Sequence, residues 1–389
     1  MNDASHSAIV DTPSLRRLKA YHTADDIRRD LLHSYPAFAI DALSSCVLVG
    51  AAPEGGRFLE QCTASGIEIA AVCDQSPEKV GSSFHGQIVR SLEFLSGLDR
   101  GTPVIVASHK GLNSVVHCRK LGFTSVAQLA LMQILYPGTF TPHMFYDGWL
   151  EDLFESREEY ESLAQLLRDQ KSVRTLDAIL QYRQSLDVTS LIPVLDLDVW
   201  HSDNLISYPD DGVYIDGGAY DGDTVRMYVE HARNRFARII AFEPDPNTFD
   251  RLRDNFANDR RIEPIKFGMF DRKDVLRFSN SASRASLIHY DGEIEVPVTS
   301  IDEILKGDPV TFIKMNIEGA ELKALHGAAH SIRTHKPTLA ISAYHAPAHL
   351  WQVPQTILEI DSAYDLYLRQ QDGGSVETVI YAVPTRCNQ

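Results

Sequence analysis

Apolar positions along this chain alternate between two periods. Short, nearly continuous apolar runs at 46–49, 67–73 and 104–107 are interleaved with segments at 57–64 and 113–121 whose apolar residues fall three and four apart, and 123–127 repeats the short run. Strands buried on both faces and helices that cover them give this alternation. It restarts at 213: strands are expected at 213–217, at a run ending on Phe242, and at 262–267, 310–315 and 338–342, with helices at 246–256, from 321 to 330 and at 354–360. Strands at 364–369 and 378–383, joined by a tight Asp372-Gly373-Gly374 turn, would close that sheet with an antiparallel pair, and 275–278, 286–289 and 294–298 read as a small antiparallel insertion. Upstream, 1–14 reads as a flexible tail and 15–33 as one amphipathic helix that Tyr35-Pro36 ends, while 147–187 carries helical spacing.

The expected fold class is therefore α/β, with two tandem Rossmann-like, doubly wound domains. Their boundaries are set at 1–40 for a tail and helix, 41–146 for the first domain, 147–205 for a helical linker and 206–389 for the second domain. A chain of 389 residues exceeds what one core usually serves, which agrees with two domains. A fragment 206–389 carries every motif of the second domain and should fold alone.

Lysines and arginines number 37 against 53 acids, a net charge of −16 with no basic block, which argues against a nucleic-acid partner. Cys46, Cys62, Cys73, Cys118 and Cys387 are scattered and odd in number, as in a reduced, cytoplasmic protein. No run approaches membrane-spanning length and 1–14 does not read as an export signal, so neither membrane insertion nor export is expected.

The chemistry concentrates where the second alternation begins. Val-Tyr-Ile-Asp-Gly-Gly-Ala-Tyr-Asp-Gly-Asp at 213–223 is a strand entering a glycine turn, and Phe242-Glu243-Pro244 ends the next strand 27 residues after Asp216 (243 − 216). Gly217, Gly218 and Gly222 permit turn angles and close ligand approach at the carboxyl end of a parallel strand. Glu243 suits a ribose diol; Asp216 suits either orientation of the loop or contact with an ammonium group. The loop departs from G-x-G-x-x-G and adds Asp221 and Asp223, which repel a pyrophosphate but not a sulfonium. S-adenosylmethionine is favoured over a dinucleotide.

Five ordered segments carry a resemblance: Asp-Gly-Gly-Ala-Tyr-Asp-Gly-Asp-Thr at 216–224, Phe-Glu-Pro-Asp-Pro at 242–246, Val-Thr-Ser-Ile-Asp-Glu-Ile-Leu at 298–305, Ile-Lys-Met-Asn-Ile-Glu-Gly-Ala-Glu at 313–321, and Lys-Pro-Thr-Leu-Ala-Ile-Ser-Ala-Tyr-His at 336–345. Together they resemble the FkbM family of methyltransferases. The resemblance implies a class I methyltransferase fold for the second domain and S-adenosylmethionine-dependent O-methylation of a sugar or natural-product hydroxyl, the acceptor being a small molecule or glycan, free or nucleotide-linked. Asp216, Gly217, Gly218, Tyr220, Asp221, Thr224, Glu243 and Pro244 are the expected cofactor residues. The chain departs from the family at Asn316, where an aspartate is usual, at Ala348 and His349, and at Gln370 and Gln371, where histidines are usual. A catalytically degenerate cofactor-binding scaffold is the alternative.

Methyl transfer to a hydroxyl calls for alignment and a proton acceptor. His345 and Glu318 are the candidate bases, Tyr344 a guide for the acceptor, and Asn316 an amide whose carbonyl oxygen orients the acceptor hydroxyl. Glu321 reads as a helix-surface residue. His345/His349 and His326/His330 are each four apart without H-E-x-x-H, so solvated or capping roles are expected and no metal site is assigned. In the first domain, Gly50, Gly55, Gly56 and Asp74 suit a nucleotide or nucleotide-sugar, although Ala52 replaces a fingerprint glycine; a purely structural or dimerising domain fits equally.

Overall fold

The computed structural model describes residues 10–202, 205–278, 294–374 and 376–385. The expected strand at 286–289, the tail residues 1–9 and Cys387 lie outside the described residues. The chain falls into two compact units: one takes the residues up to Gln165 with Arg174–Leu195 and Asp372–Val376, the other takes Leu166–Val173, Asp196–Gln371 and the chain from Glu377.

The first unit opens with α1 (Pro13–Ala20) and α2 (Ala24–Ser34), two helices where the apolar spacing predicts one. Thr23 and Asp26 explain the break: each side chain accepts the other's backbone N–H, a capping box that starts a new helix inside a continuous amphipathic pattern. Strand β1 (Ser45–Val49), helix α3 (Pro53–Ala64), β2 (Glu68–Cys73), β3 (Ser83–Phe84), β4 (Gln87–Arg90), β5 (Val104–Val106), α4 (Leu112–Lys120) and β6 (Val126–Gln128) follow. They form a sheet of order β3-β4-β2-β1-β5-β6, parallel except for β3. The β3–β4 hairpin escapes the sequence pattern because its strands are short and mostly exposed. Helices α5 (Leu129–Leu135), α6 (Trp149–Glu155), α7 (Arg157–Leu166) and α8 (Gln170–Ser185) complete the helical segment.

The second unit is a seven-stranded sheet of order β15-β16-β14-β13-β7-β8-β9. Its parallel strands are β7 (Val213–Gly217), β8 (Arg238–Phe242), β9 (Ile262–Ile265), β13 (Phe312–Met315) and β14 (Thr338–Ser342). The central β7, β13 and β14 are buried along their whole length, which is why they read as mostly apolar runs. Helices α9 (Asp223–His231) and α10 (Pro246–Asn255) connect β7 to β9. The inserted sheet is β10 (Gly268–Met269), β11 (Asp274–Phe278) and β12 (Ile294–Thr299); it is mixed rather than antiparallel, because β10 runs parallel to β12. After α11 (Ile301–Leu305), the single helix expected to reach His330 is instead α12 (Glu321–His326) and α13 (Ala329–His335). Gly327 separates them: a Cβ there would lie 2.1 Å from the Phe270 carbonyl oxygen.

Helix α14 (His349–Ile360) begins a full turn before Pro354, the expected start, because Trp351 and Gln352 already donate to the Ala348 carbonyl and its face of Leu350, Val353, Ile357 and Ile360 is buried. Strands β15 (Tyr364–Gln370) and β16 (Thr378–Pro384) form the expected antiparallel pair, with β16 also antiparallel to β14. Their connection, 371–377, is longer than a tight turn, and Gly373 and Gly374 lie within the first unit against Leu112 and the His109 carbonyl. No helix among the described residues is long and apolar enough to cross a membrane.

Arg369 on β15 is 3% exposed. Its guanidinium bonds Asp169 Oδ2 and Ser172 Oγ, each at 2.8 Å, and lies 3.5 Å from Asp196 Oδ2. All three partners precede residue 206. A fragment starting at 206 therefore leaves a buried cation without its anions, and its unfolding free energy is expected to fall roughly 3–5 kcal/mol below that of a fragment starting at 166. Urea unfolding of the two fragments measures the difference; equal midpoints and slopes would remove the clamp's importance.

Candidate functional site

The carboxyl ends of β7 and β8 meet through one carboxylate. Glu243, the residue after β8, accepts the backbone N–H of Tyr220 on Oε2 at 3.0 Å and that of Asp245 on Oε1 at 2.9 Å. Burial raises its pKa above the ordinary carboxylate value. One backbone bond to each oxygen leaves each a further lone pair, the acceptor set that a cis-diol requires. Gly218 and Ala219 both donate to the Phe242 carbonyl, so the glycine loop spends its N–H groups on the neighbouring strand end rather than presenting an anion nest.

The loop glycines are demanded by the protein itself. A Cβ on Gly218, whose φ is +70°, would lie 2.1 Å from the Asn316 carbonyl oxygen, and one on Gly222, φ +91°, would lie 2.1 Å from the Phe256 ring. Close approach of these backbones, not of a ligand, is what those two glycines permit. Tyr220 holds a left-handed φ of +50° with its ring exposed, and the Arg251 guanidinium lies 5.2 Å from that ring. Asp221 pairs with Arg226 at 2.9 Å, and Pro244 is half-buried beside Glu243.

Asp216 is fully buried beneath the loop. Its Oδ1 receives Lys314 Nζ at 2.9 Å and its Oδ2 the Thr224 hydroxyl at 2.5 Å. The pairing follows from register, because Lys314 on β13 is the direct neighbour of Asp216 on β7. The ammonium also donates to the Gly217 and Gly218 carbonyls at 3.1 Å each and lies 5.1 Å from the Trp200 ring. Of the two roles the sequence left open for Asp216, this geometry matches orientation of the loop. Gln371 braces Trp200 by accepting its backbone N–H at 3.0 Å and donates to the Tyr381 hydroxyl at 2.7 Å; Gln370 accepts the Thr378 hydroxyl at 2.5 Å. These two amides are buried structural partners.

A second cluster forms at the ends of β13 and β14. Glu318 and Gly319 take left-handed φ values of 54° and 98°, a reversal that starts α12 at Glu321 and points that side chain inward. Glu321 is fully buried, which overturns its expected place on a helix surface. Its Oε1 accepts the Ile317 N–H at 2.8 Å and lies 2.8 Å from His345 Nδ1, while Oε2 lies 3.6 Å from His349 Nδ1. Burial opposes charge on both partners, yet His345 draws Glu321 below the usual carboxylate value and Glu321 raises His345 above the ordinary imidazole value of 6.5. Burial, in contrast, lowers His349, which is buried here rather than solvated as expected. Nε2 of His345 faces Glu318 Oε2 at 3.8 Å, and Glu318 is 56% exposed.

Asn316 does not offer its carbonyl oxygen outward. Oδ1 accepts the Ser342 hydroxyl at 2.7 Å and the Tyr344 hydroxyl at 2.9 Å, leaving the NH₂ as the group to present. Burial raises the Tyr344 phenol well above its usual value, so it remains protonated. Among the described residues no group of three or more His, Cys, Asp or Glu is arranged to hold a metal ion.

The structure thus gathers Asp216, Gly217, Gly218, Tyr220, Thr224 and Glu243 around one loop, and Asn316, Glu318, Tyr344 and His345 around another. Sequence reading passed over Lys314 and Trp200. A lysine inside the apolar run Phe312-Ile313-Lys314-Met315 was the available signal, since a central strand buries lysine only against a partner.

Residues 216–372 match the sequence profile of the methyltransferase FkbM domain. Over 107 residues the chain is 30% identical to the hexuronic acid methyltransferase AglP of Haloferax volcanii, in an alignment covering 25% of this chain and 44% of that protein. The chain therefore spans less than half the length of that curated relative. The crystal structure of an FkbM methyltransferase from Methylobacillus flagellatus KT shares the fold with a TM-score of 0.74 at 23% identity, covering 95% of this chain and 99% of the other. With its seven-stranded sheet, its antiparallel terminal pair and the glycine loop at the end of β7, the second unit carries a methyltransferase domain of the FkbM family over residues 216–372.

Proposed function

We propose that the chain is an S-adenosylmethionine-dependent O-methyltransferase acting on a hydroxyl of a sugar-containing or natural-product acceptor. The observation that carries this reading is Glu243, held by two backbone N–H groups at the end of β8 with acceptor capacity left on both oxygens. The hexuronic acid activity of the Haloferax relative supports a sugar acceptor. When bound, S-adenosylmethionine supplies an electrophilic methyl group. Glu243 holds the ribose, Tyr220 flanks the adenosyl group, and the loop seated on Lys314 fixes their spacing. On the acceptor side the exposed Glu318 receives the hydroxyl, the Asn316 amide donates to a neighbouring oxygen, and the proton passes to His345, oriented by Glu321. We also place the reaction in the cytoplasm, in keeping with the buried free thiols of Cys46, Cys62, Cys73 and Cys118.

Methyl transfer from labelled S-adenosylmethionine, assayed against hexuronic acid glycans and nucleotide sugars with and without chelator, tests the proposal. Labelled, acid-stable ether product that survives chelation is expected. Cofactor binding without transfer to any acceptor would favour a degenerate scaffold instead. Glu243→Ala should weaken S-adenosylmethionine binding by roughly tenfold or more, since each hydrogen bond to a charged acceptor is worth about 1.5–3 kcal/mol. Unchanged affinity by calorimetry would remove Glu243 from the cofactor site.

A further inference from the structure

The two units repeat one hydrogen-bonding device. In the second, Glu243 accepts the N–H of Tyr220, 23 residues earlier, and that of Asp245, two residues later. In the first, Asp74 stands just after β2 and accepts the N–H of Ala51, also 23 residues earlier, at 2.7 Å, and that of Ser76, two residues later, at 2.9 Å. Both carboxylates tie the end of a second parallel strand to the loop leaving the first.

The electrostatics of the two loops differ. Lys79 Nζ donates to Asp74 Oδ2 at 3.2 Å, so that oxygen accepts two bonds while Oδ1 keeps a lone pair, and Arg57 pairs with Glu54 at 2.6 Å; the acids around this loop are neutralised. No side chain caps the N-terminus of α3, which starts with Pro53 after the three-residue loop that follows β1. The acids beside this loop are thus ion-paired and do not oppose a phosphate; in the second unit Asp221 is likewise paired, with Arg226, and Asp223 carries the charge that opposes one.

An independent feature lies on the other side of β1. The sheet order reverses between β2 and β5 about β1, the switch point at which open α/β sheets take ligands. A cavity there of about 10 Å³, room for one hydroxyl-sized group, is lined by Glu54, Ser108, His109, Gln133 and Tyr146. Gln133 is 1% exposed; its Nε2 donates to the Thr141 carbonyl at 3.1 Å, while its Oε1 has no partner. A buried amide oxygen without a donor is costly, and a ligand hydroxyl would satisfy it. His109, against Tyr146 Oη at 3.1 Å, is kept neutral by burial, with a pKa lowered to about 4.

We infer that the first unit binds a ribonucleotide, a ribose hydroxyl on Asp74 Oδ1, its phosphates over the α3 N-terminus and a hydroxyl-bearing extension reaching Gln133. This inference rests on the ribose-holding role proposed for Glu243, and the two are tested separately in one set of titrations. Calorimetry on the full chain uses UDP-glucose, its 2′-deoxyuridine analogue, AMP and S-adenosylmethionine. UDP-glucose should bind the native chain and Glu243→Gln alike, bind Asp74→Asn about tenfold or more weakly, and lose a similar factor in the 2′-deoxy analogue. Gln133→Leu, which leaves the Asp74 brace intact, should weaken UDP-glucose but not AMP, and it decides the matter if Asp74→Asn fails to fold. S-adenosylmethionine should respond to Glu243→Gln and not to Asp74→Asn; a failure confined to that arm would count against the Glu243 reading alone. Binding of neither UDP-glucose nor AMP to the native chain, UDP-glucose affinity unchanged in Asp74→Asn or in Gln133→Leu, or loss only in Glu243→Gln would overturn the inference.

Discussion

Lys314→Met is expected to lower the unfolding free energy by about 3–5 kcal/mol, the largest stability effect of any single substitution considered for the second unit. Lys314 is 1% exposed and Asp216 fully buried, so removing the ammonium strands a carboxylate in the sheet interior with the neutral hydroxyls of Thr224 and Tyr214 as its donors. The Gly218 carbonyl loses its lysine donor at the same time, while the Gly217 carbonyl is left with the Asn316 N–H, and the loop that positions Tyr220 loosens. S-adenosylmethionine affinity should therefore fall together with stability. Lys314→Met combined with Asp216→Asn should recover part of the stability, because the unpaired charge is gone, without restoring cofactor affinity. Urea unfolding and calorimetry on the single and double variants check both parts; a single variant within about 1 kcal/mol of the native chain would show that the pair is neither dry nor structural.

His345→Gln should reduce turnover by roughly a hundredfold or more while leaving cofactor affinity near that of the native chain, the signature of a lost proton acceptor. The pH dependence carries more information. Glu321 holds His345 above 6.5, with Glu318 and Glu377 adding to the effect against burial, so a neutral imidazole accumulates only as pH rises through that raised value. Turnover should climb along the same limb. Glu321→Gln should move the limb to lower pH and lower the plateau, and a ¹⁵N titration of the imidazole should move with it. That second readout does not depend on knowing the acceptor.

Stability has the opposite sign on this limb. A histidine whose folded pKa is raised contributes fully below its unfolded value near 6.5 and loses that contribution as pH rises through the folded value. Glu321, lowered on folding, contributes above its unfolded value of 4.5 and loses it as pH falls through the folded one. The pair thus stabilises most between those two values, while catalysis gains above them. A pH limb identical in Glu321→Gln would relegate Glu321 to packing, and an active His345→Gln enzyme would shift the base to Glu318.

Much of this was legible before any coordinates. Parallel central strands are buried on both faces, so β7, β13 and β14 are mostly apolar, with Asp216 and Lys314 as mutually paired exceptions, and a glycine turn followed by a strand-end carboxylate marks the edge of a ligand-binding sheet by local chemistry alone. Those are short-range constraints, and Asp216, Gly218, Glu243 and the terminal antiparallel pair are all read from them. The Lys314–Asp216 pair spans 98 positions and exists because β13 lies beside β7 in one particular register, which no local pattern encodes. Glu321 faces inward because Glu318 and Gly319 reverse the chain one turn earlier, so a residue with helix-surface spacing becomes the buried partner of His345. Asn316 gives its side-chain carbonyl to Ser342, at the end of the adjacent strand, and to Tyr344 just beyond it, for the same reason. The sequence by itself determined which segments form the sheet and where its glycine loop lies; tertiary structure alone decided which polar side chains meet, because burial forces each charge to find a partner and only strand order and register determine which partner is within reach.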